Sequence, residues 1–289
     1  MSFELGLSSC SKVIDRQLMH QYAENGIKQM EISMTYEQYL NADYSFIKNV
    51  AADYGVQIWS LHLPFSPGEL INPANPDKKV HESTVDIDKR LIEKASYLGA
   101  KMVVVHGCRG PVSAENRPAW IAQAQRTLSM FSDFASKGAL QIAVENQPRN
   151  ALIGSSSDLL EVLSADDRLG ICFDVNHLMP ERDDHQNFLK ICGHKIVTLH
   201  ISDYDFLNER HWLPGEGKID WQMLVNGLRE IGYQGPWLYE LGFDIPKTIY
   251  RSRTLTCADF KRNAEEIFGN KKITVIGKPV DGLLHWMIA

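Results

Sequence analysis

The sequence lacks the short motifs that most often declare a function. It has no glycine-rich phosphate loop, no dinucleotide fingerprint, no Gly-x-Ser-x-Gly elbow and no His-Glu-x-x-His pair, which sets aside nucleotide-dependent, serine-hydrolase and zincin chemistry. Cysteine is scarce. Cys10, Cys108, Cys172, Cys192 and Cys257 are odd in number, scattered and without Cys-x-x-Cys spacing, as expected of reduced packing thiols rather than a disulfide framework. No apolar run reaches the roughly 20 residues that a membrane span needs. The opening Met1–Ser9 enters a strand pattern without a basic region and apolar core, so no secretory signal is expected and a cytoplasmic location is. Clustered positive charge is missing too: the net charge is −6 with Lys and Arg scattered, which disfavours nucleic acid and anionic membranes and suits a small-molecule ligand. Nor is there a linker. The longest Pro/Gly/Asn-rich stretch, Ser66–Lys79, interrupts a strand–loop–helix unit and reads as an active-site loop.

What the chain does contain is a regular alternation. Short apolar runs, rich in β-branched and aromatic residues as strands covered on both faces are, are each followed by a turn and a helical stretch. Strands are predicted at Phe3–Ser9, Gln29–Ser33, Gln57–Phe65, Lys101–Gly107, Gln141–Asn146, Gly170–His177, Ile196–Asp203 and Pro236–Gly242. Helices are predicted at Ile14–Asn25, Tyr44–Tyr54, Val80–Leu98, Ala114–Ser136, Ser156–Leu163, Asp184–Ile191, Trp221–Ile231 and Thr256–Phe268, several stopped by glycine. Eight strand-then-helix units in one series predict an α/β protein closed as a single-domain (β/α)8 TIM barrel. An open doubly wound sheet would carry a glycine-rich turn after the first strand, where Ser8–Lys12 has none. Residues 1–269 are read as the barrel. Residues 270–289, apolar at Ile273–Gly277 and Leu283–Ala289, are read as an extension packed on the barrel or on a partner subunit, so a homodimer is an expected assembly.

Four of the strands close on side chains that bind metals. They end on Glu145, on Asp174 and His177, on His200, and on Glu240. Barrels of this kind place active sites at the carboxyl ends of their strands, so these groups meet if strands five to eight stand side by side. An oxygen-rich set with one imidazole and no thiolate suits one divalent cation, Mn2+, Mg2+ or Co2+, accepts Zn2+, and disfavours a structural zinc knot. Held by Glu145, Asp174, His200 and Glu240, such a cation would stabilise the enediolate formed when a carbon between a carbonyl and a hydroxyl loses its proton. Glu145 and Glu240 are the expected catalytic pair, one removing the proton and the other returning it, to the same carbon for epimerisation or to its neighbour for isomerisation. His62, His106, His177 and His211 are the expected contacts to substrate hydroxyls. A lone histidine on a strand is ordinarily a packed, hydrogen-bonded residue, but five of the ten histidines fall at strand ends or just beyond them, which argues for a site. Glu4 and Glu31 read equally well as interior or surface acids, and Trp59, Trp212 and Trp237 as packing residues.

Taken in order, Val144–Asn146, Cys172–His177, Leu199–Asp203, Leu213–Trp221 and Tyr239–Gly242 resemble the xylose isomerase-like TIM barrels, the sugar phosphate isomerase/epimerase superfamily, over nearly the whole chain. The resemblance implies a carbohydrate substrate. By analogy with the ketose 3-epimerases of that group, Glu145, Asp174, His200 and Glu240 would bind the metal, and His177 and His211 would touch substrate oxygens. Those epimerases often carry Arg where His211 stands, which leaves the sugar open. The superfamily also contains abasic-site nucleases of the endonuclease IV type, with a three-zinc cluster. Their ligand pattern is largely matched by His62, His106, Glu145, Asp174, His177, His200, His211 and Glu240, with Glu209 in place of an aspartate. Against duplex DNA stand the acidic balance and the few arginines near strand ends, Arg109, Arg149, Arg210, Arg251 and Arg253, enough for one sugar phosphate. Dehydration of a keto-inositol, with the same carboxylates expelling a β-hydroxyl, is a third reading.

Overall fold

The computed structural model describes residues 3–10, 12–149 and 151–284. Eight parallel strands line a barrel: β1 (Leu5–Ser8), β2 (Gln29–Ser33), β3 (Gln57–His62), β4 (Met102–His106), β5 (Gln141–Glu145), β6 (Gly170–Asp174), β7 (Ile196–His200) and β8 (Trp237–Tyr239). Neighbours pair in chain order from β1 to β7, and β8 returns to β1. A parallel bridge between Ile201 and Tyr239, with the Ile201 amide donating to Leu238 at 2.8 Å, joins β7 to β8 and closes the ring. This is a single (β/α)8 TIM barrel.

The alternation of strand side chains sorts the core into two layers. Outward-facing Met30, Ile32, Leu61, Val103, Val105, Ile142, Val144, Ile171, Phe173 and Leu199 belong to one large buried cluster with the helices. Inward-facing Val104, Ala143 and Cys172 form a separate small one. A bulge in the β2–β3 register falls at Trp59, whose indole N–H reaches Thr198 of β7 at 3.1 Å and so crosses the barrel interior. Above this apolar floor the inward positions turn polar. Glu31, Ser60, His62, Glu145, Asp174 and His200 are all buried there, so the acids and imidazoles share one low-dielectric chamber.

The helices are α1 (Arg16–Glu24), α2 (Tyr36–Asn41), α3 (Tyr44–Asp53), α4 (Lys78–Leu98), α5 (Arg117–Ser136), α6 (Ser156–Leu163), α7 (His185–Cys192), α8 (Trp221–Glu230) and α9 (Cys257–Phe268). None of the described helices is long and apolar enough to cross a membrane. The first helix starts two residues later than the apolar periodicity predicts, because Asp15 caps it by accepting from the Leu18 amide. Helix α2 was not anticipated. It is one and a half turns long, too short for periodicity to register, and is held by a capping box between Thr35 and Gln38. Gly99 ends α4 in the left-handed region at φ 78°, where a side chain would be strained.

Residues 270–284 lie against the rest of the chain. The pair β9 (Ile249–Tyr250) and β10 (Lys278–Pro279) is antiparallel, and the Gly277 amide donates to Glu216 at 2.6 Å, which also binds the buried Arg251. Arg210 donates to the Leu284 carbonyl at 2.9 Å. The remainder of the predicted extension, 285–289, lies outside the described residues.

Candidate active site

Glu145, the last residue of β5, is the point at which the site converges. Its Oε2 lies 3.0 Å from His62 Nε2 and 3.1 Å from His106 Nε2, on the two preceding strands. Its Oε1 lies 3.3 Å from both His177 Nδ1 and His200 Nδ1. Asp174 Oδ2 stands 3.3 Å from His177 Nε2, and Glu240 Oε2 3.2 Å from His200 Nδ1. Strand β8 stops at Tyr239, so Glu240 sits one residue past it, positioned by its amide bond to the Ile201 carbonyl. Sets of ligand atoms close enough to share a cation include the quartet Glu145, Asp174, His200 and Glu240 and two flanking triads, His62, His106 and Glu145 on one side and His177, Glu209 and His211 on the other. The structure thus brings all eight site residues expected from the sequence to one end of the barrel.

The outer hydrogen bonds of the histidines decide which nitrogen faces inward. A carbonyl or carboxylate oxygen only accepts, so the ring nitrogen beside it carries the proton. His62 Nδ1 donates to the Leu63 carbonyl (2.7 Å), His177 Nδ1 to the Asn146 carbonyl (3.0 Å), and His211 Nδ1 to the Glu240 carbonyl (3.1 Å). His200 Nε2 donates to Glu31 (3.1 Å), whose same oxygen accepts from Ser60 at 2.7 Å. Each imidazole is therefore held from outside and turns its other nitrogen toward the carboxylates at the centre, where its lone pair would become available to a metal that displaces the proton.

Facing buried carboxylates with no cation between them, the inward nitrogens are drawn toward their protonated form. Burial disfavours a charged imidazole at His62, yet its hydrogen bond to Glu145 and the nearby acids carry it up to about 9. Burial likewise opposes charge on His200, and Cys172 with the carboxylates of Glu240, Glu31 and Glu145 lifts it well above the usual range. Glu145, despite a burial that resists ionisation, is held well below the carboxylate range by His106 and His200. Glu240, against the same burial, is brought down to about 2 by His200. Asp174 moves the other way, pushed up by burial and then by Glu240 and Glu145. Asp174 Oδ2 and His200 Nδ1 are buried without a hydrogen-bond partner among the described residues. Two orphaned donor atoms inside one carboxylate–imidazole quartet fit a divalent cation that accepts mixed oxygen and nitrogen ligands.

The quartet opens into a cavity of about 580 Å3, whose wall includes His106, His177, Glu209, His211 and Glu240. His62, expected from the sequence to touch substrate, is only 3% exposed and outside that wall, so it bears on Glu145 instead. Two participants had no part in the catalytic set expected from the sequence. Glu31, left there between interior and surface, is fully buried and orients His200. Glu209 pairs with His177 at 3.2 Å and with Arg149 at 2.6 Å. An acid in the middle of the apolar run Gln29–Ser33 was the available signal for Glu31; its partner is too far along the chain to be inferred from spacing.

Glu209 and His211 ride on a loop tied from inside by Asp203. That carboxylate accepts from the amides of Tyr204, Gly215, Gly217 and Ile219 and from the Trp221 indole, at 2.7–3.2 Å. Gly217 has no room for a side chain, since a Cβ there would stand 2.3 Å from Asp203 Oδ1. The Leu213–Trp221 motif is therefore a folding device: its glycines bring peptide N–H groups to a buried acid.

A closed barrel with a carboxylate–imidazole centre at the carboxyl ends of its strands defines a class of TIM-barrel proteins. Within that class the chain belongs to the xylose isomerase-like TIM barrel family, whose sequence model matches residues 19–253. It is 30% identical over 225 residues to an uncharacterized protein of Methanocaldococcus jannaschii, covering 75% of each chain. It is 23% identical over 199 residues to a fructoselysine 3-epimerase of Shigella flexneri, covering 68% of this chain and 71% of that one. Among solved structures it resembles a D-tagatose 3-epimerase-like protein, with 25% identity, a TM-score of 0.76 and coverage of 92% and 96%. Its neighbours thus include sugar epimerases.

Proposed function

We propose that the protein is a metal-dependent isomerase or epimerase acting on a sugar or sugar phosphate. The observation that carries this reading is the placement of two carboxylates, Glu145 and Glu240, at 3.3 and 3.2 Å from the same inward-facing nitrogen of His200, both on the wall of the 580 Å3 cavity. A divalent cation held by Glu145, Asp174, His200 and Glu240 would supply Lewis-acid polarisation of neighbouring carbonyl and hydroxyl oxygens. Glu145 and Glu240, both held low, are ionised at neutral pH and ready to accept a proton. One takes the proton from the carbon between the two oxygens, leaving its electron pair in an enediolate. The other carboxylate, once it has taken a proton from solvent in the open cavity, delivers it to the opposite face and inverts that carbon, or to the neighbouring carbon and isomerises the sugar, while the first releases the abstracted proton to solvent. His106, His177 and His211 line the cavity and would hold substrate hydroxyls, while His62 positions Glu145.

A second reading rests on a specific observation. The two flanking triads share Glu145 and His177 contacts with the quartet, as three adjoining cation sites would, and a three-metal cluster suits phosphodiester cleavage at an abasic site. Elemental analysis of the metal-loaded protein, run beside turnover of a ketose panel and incision of an abasic duplex, separates the two. One Mn- or Mg-type ion per chain, lost in Glu240→Gln together with ketose turnover, supports the epimerase. Three zinc ions with salt-sensitive incision replaces it with the nuclease.

A further inference from the structure

Two arginines stand on the cavity wall beyond the ligand groups, three residues after His106 and four after Glu145, and the proposed chemistry uses neither. Arg109 is fixed at both ends. Its peptide is clasped by the buried Asn72, which accepts from its amide at 3.2 Å and donates to its carbonyl at 3.3 Å. Its guanidinium donates to the Phe65 carbonyl and lies 5.9 Å from the Phe65 ring, with its stem laid across Gly68, where a Cβ would come within 2.6 Å of it. Arg149 occupies the left-handed region at φ 58°, a conformation that costs a non-glycine residue energy and is kept where surrounding structure enforces it. Its carbonyl accepts from Arg182 at 2.7 Å, and its Nη1 donates to Asn208 and Glu209. In both guanidiniums only one nitrogen is engaged among the described residues, so a planar edge of N–H donors remains unspent.

The charge balance of the wall says what those donors are for. Its acids, Glu145, Glu209 and Glu240, all belong to the ligand groups. With a cation at the floor, Arg109 is left without an acid among the described residues, and Arg149 shares its one acid, Glu209, with His177. A neutral sugar would bury part of that charge without an anion to meet it, whereas an oxyanion accepts from a guanidinium edge in the two-point geometry that suits it.

We propose that Arg109 and Arg149 select a substrate bearing an oxyanion, a phosphate ester or a carboxylate, at the end remote from the reacting carbons. The proposal rests on the isomerase reading for the word substrate, but not for the binding itself.

The test therefore has a kinetic and a binding arm. In the first, kcat/KM is measured for a ketohexose, its terminal phosphate and its terminal carboxylate, with wild type, Arg109→Gln, Arg149→Gln and the double variant. The anionic sugar is expected to be favoured over the neutral one by about 10- to 100-fold, most of it lost in the double variant; the larger of the two ratios identifies the anion. A preference near one in wild type, or one indifferent to both substitutions, overturns the proposal. In the second arm, inorganic phosphate and the ketose phosphate are titrated against the thermal midpoint of the metal-loaded protein. Stabilisation that disappears in the double variant, at unchanged metal content, supports the oxyanion site even if no ketose is turned over, a result that would sink the isomerase reading alone. No stabilisation of wild type by either anion refutes it.

Discussion

Glu145 and Asp88 are both buried carboxylates on neighbouring parts of one barrel, and they are treated in opposite ways. Glu145 at the mouth lies within 3.3 Å of nitrogens from four histidines and is driven well below the ordinary carboxylate range, although burial resists this. Asp88, on α4, is fully buried, finds no hydrogen-bond partner for either oxygen among the described residues, and is pushed well above that range by burial alone. It faces a cavity of about 10 Å3 whose wall includes Ile71, Pro73 and Val105. Burial by itself makes an acid neutral; burial among oriented imidazoles makes it an anion that calls for a cation. The mouth of the barrel is built to hold charge, and the α4 seam is not.

The contrast can be broken most forcefully at its centre. Glu145→Gln removes a side chain that belongs to both the quartet and a flanking triad, and a loss of about 1000-fold in kcat, with metal content falling together with it, is expected. Retention of metal and activity would mean that Glu145 is a packing acid. Glu31→Gln keeps the shape but weakens the acceptor that orients His200, and a loss of metal affinity of about 10- to 100-fold is expected by competition with a chelator. Should affinity stay unchanged, the outer carboxylate would not tune the centre. Glu209→Gln touches only the flanking triad, so a change in KM of about tenfold with kcat nearly preserved is expected, while a loss of one metal ion per chain would instead favour the multinuclear reading.

The smallest effect belongs to the other side of the comparison. Because the folded protein holds the Asp88 carboxyl above its unfolded value of about 3.9, its contribution to stability is fully present below that pH and is lost as pH rises toward the folded value. Asp88→Asn removes the ionising group, so the variant is expected to be more stable than wild type at neutral pH by about 1 kcal/mol, with the advantage vanishing as pH falls below about 3.9. A pair of denaturant titrations at the two pH values measures it, and equal stability at both would show that the acid is not paying a burial cost.

The sequence carried the barrel because each strand is an apolar run of nearly the right length followed by a helix, and the strand order needed no further information. The quartet was legible for the same reason: Glu145, Asp174 and His200 are the last residues of their strands, and Glu240 directly follows its own. What spacing does not encode is which buried group turns toward which. Glu31 acquires its role from His200, 169 positions away, through a contact that exists only once the ring is closed. Arg149 owes its place to a left-handed backbone that no residue type announces. His62 has the composition of a substrate contact and the burial of a support.

The Asp203 knot separates two things that usually change together. It grips its loop through four peptide amides and one indole, none of them from positions 209 or 211. Exchanging those two side chains therefore leaves that anchor in place, with Gly and Asn the least strained choices at position 211, whose φ of 49° is left-handed. A library randomised at just these positions on the intact scaffold would act like interchangeable tool bits in a fixed chuck, a direct way to retune what the mouth of this barrel accepts.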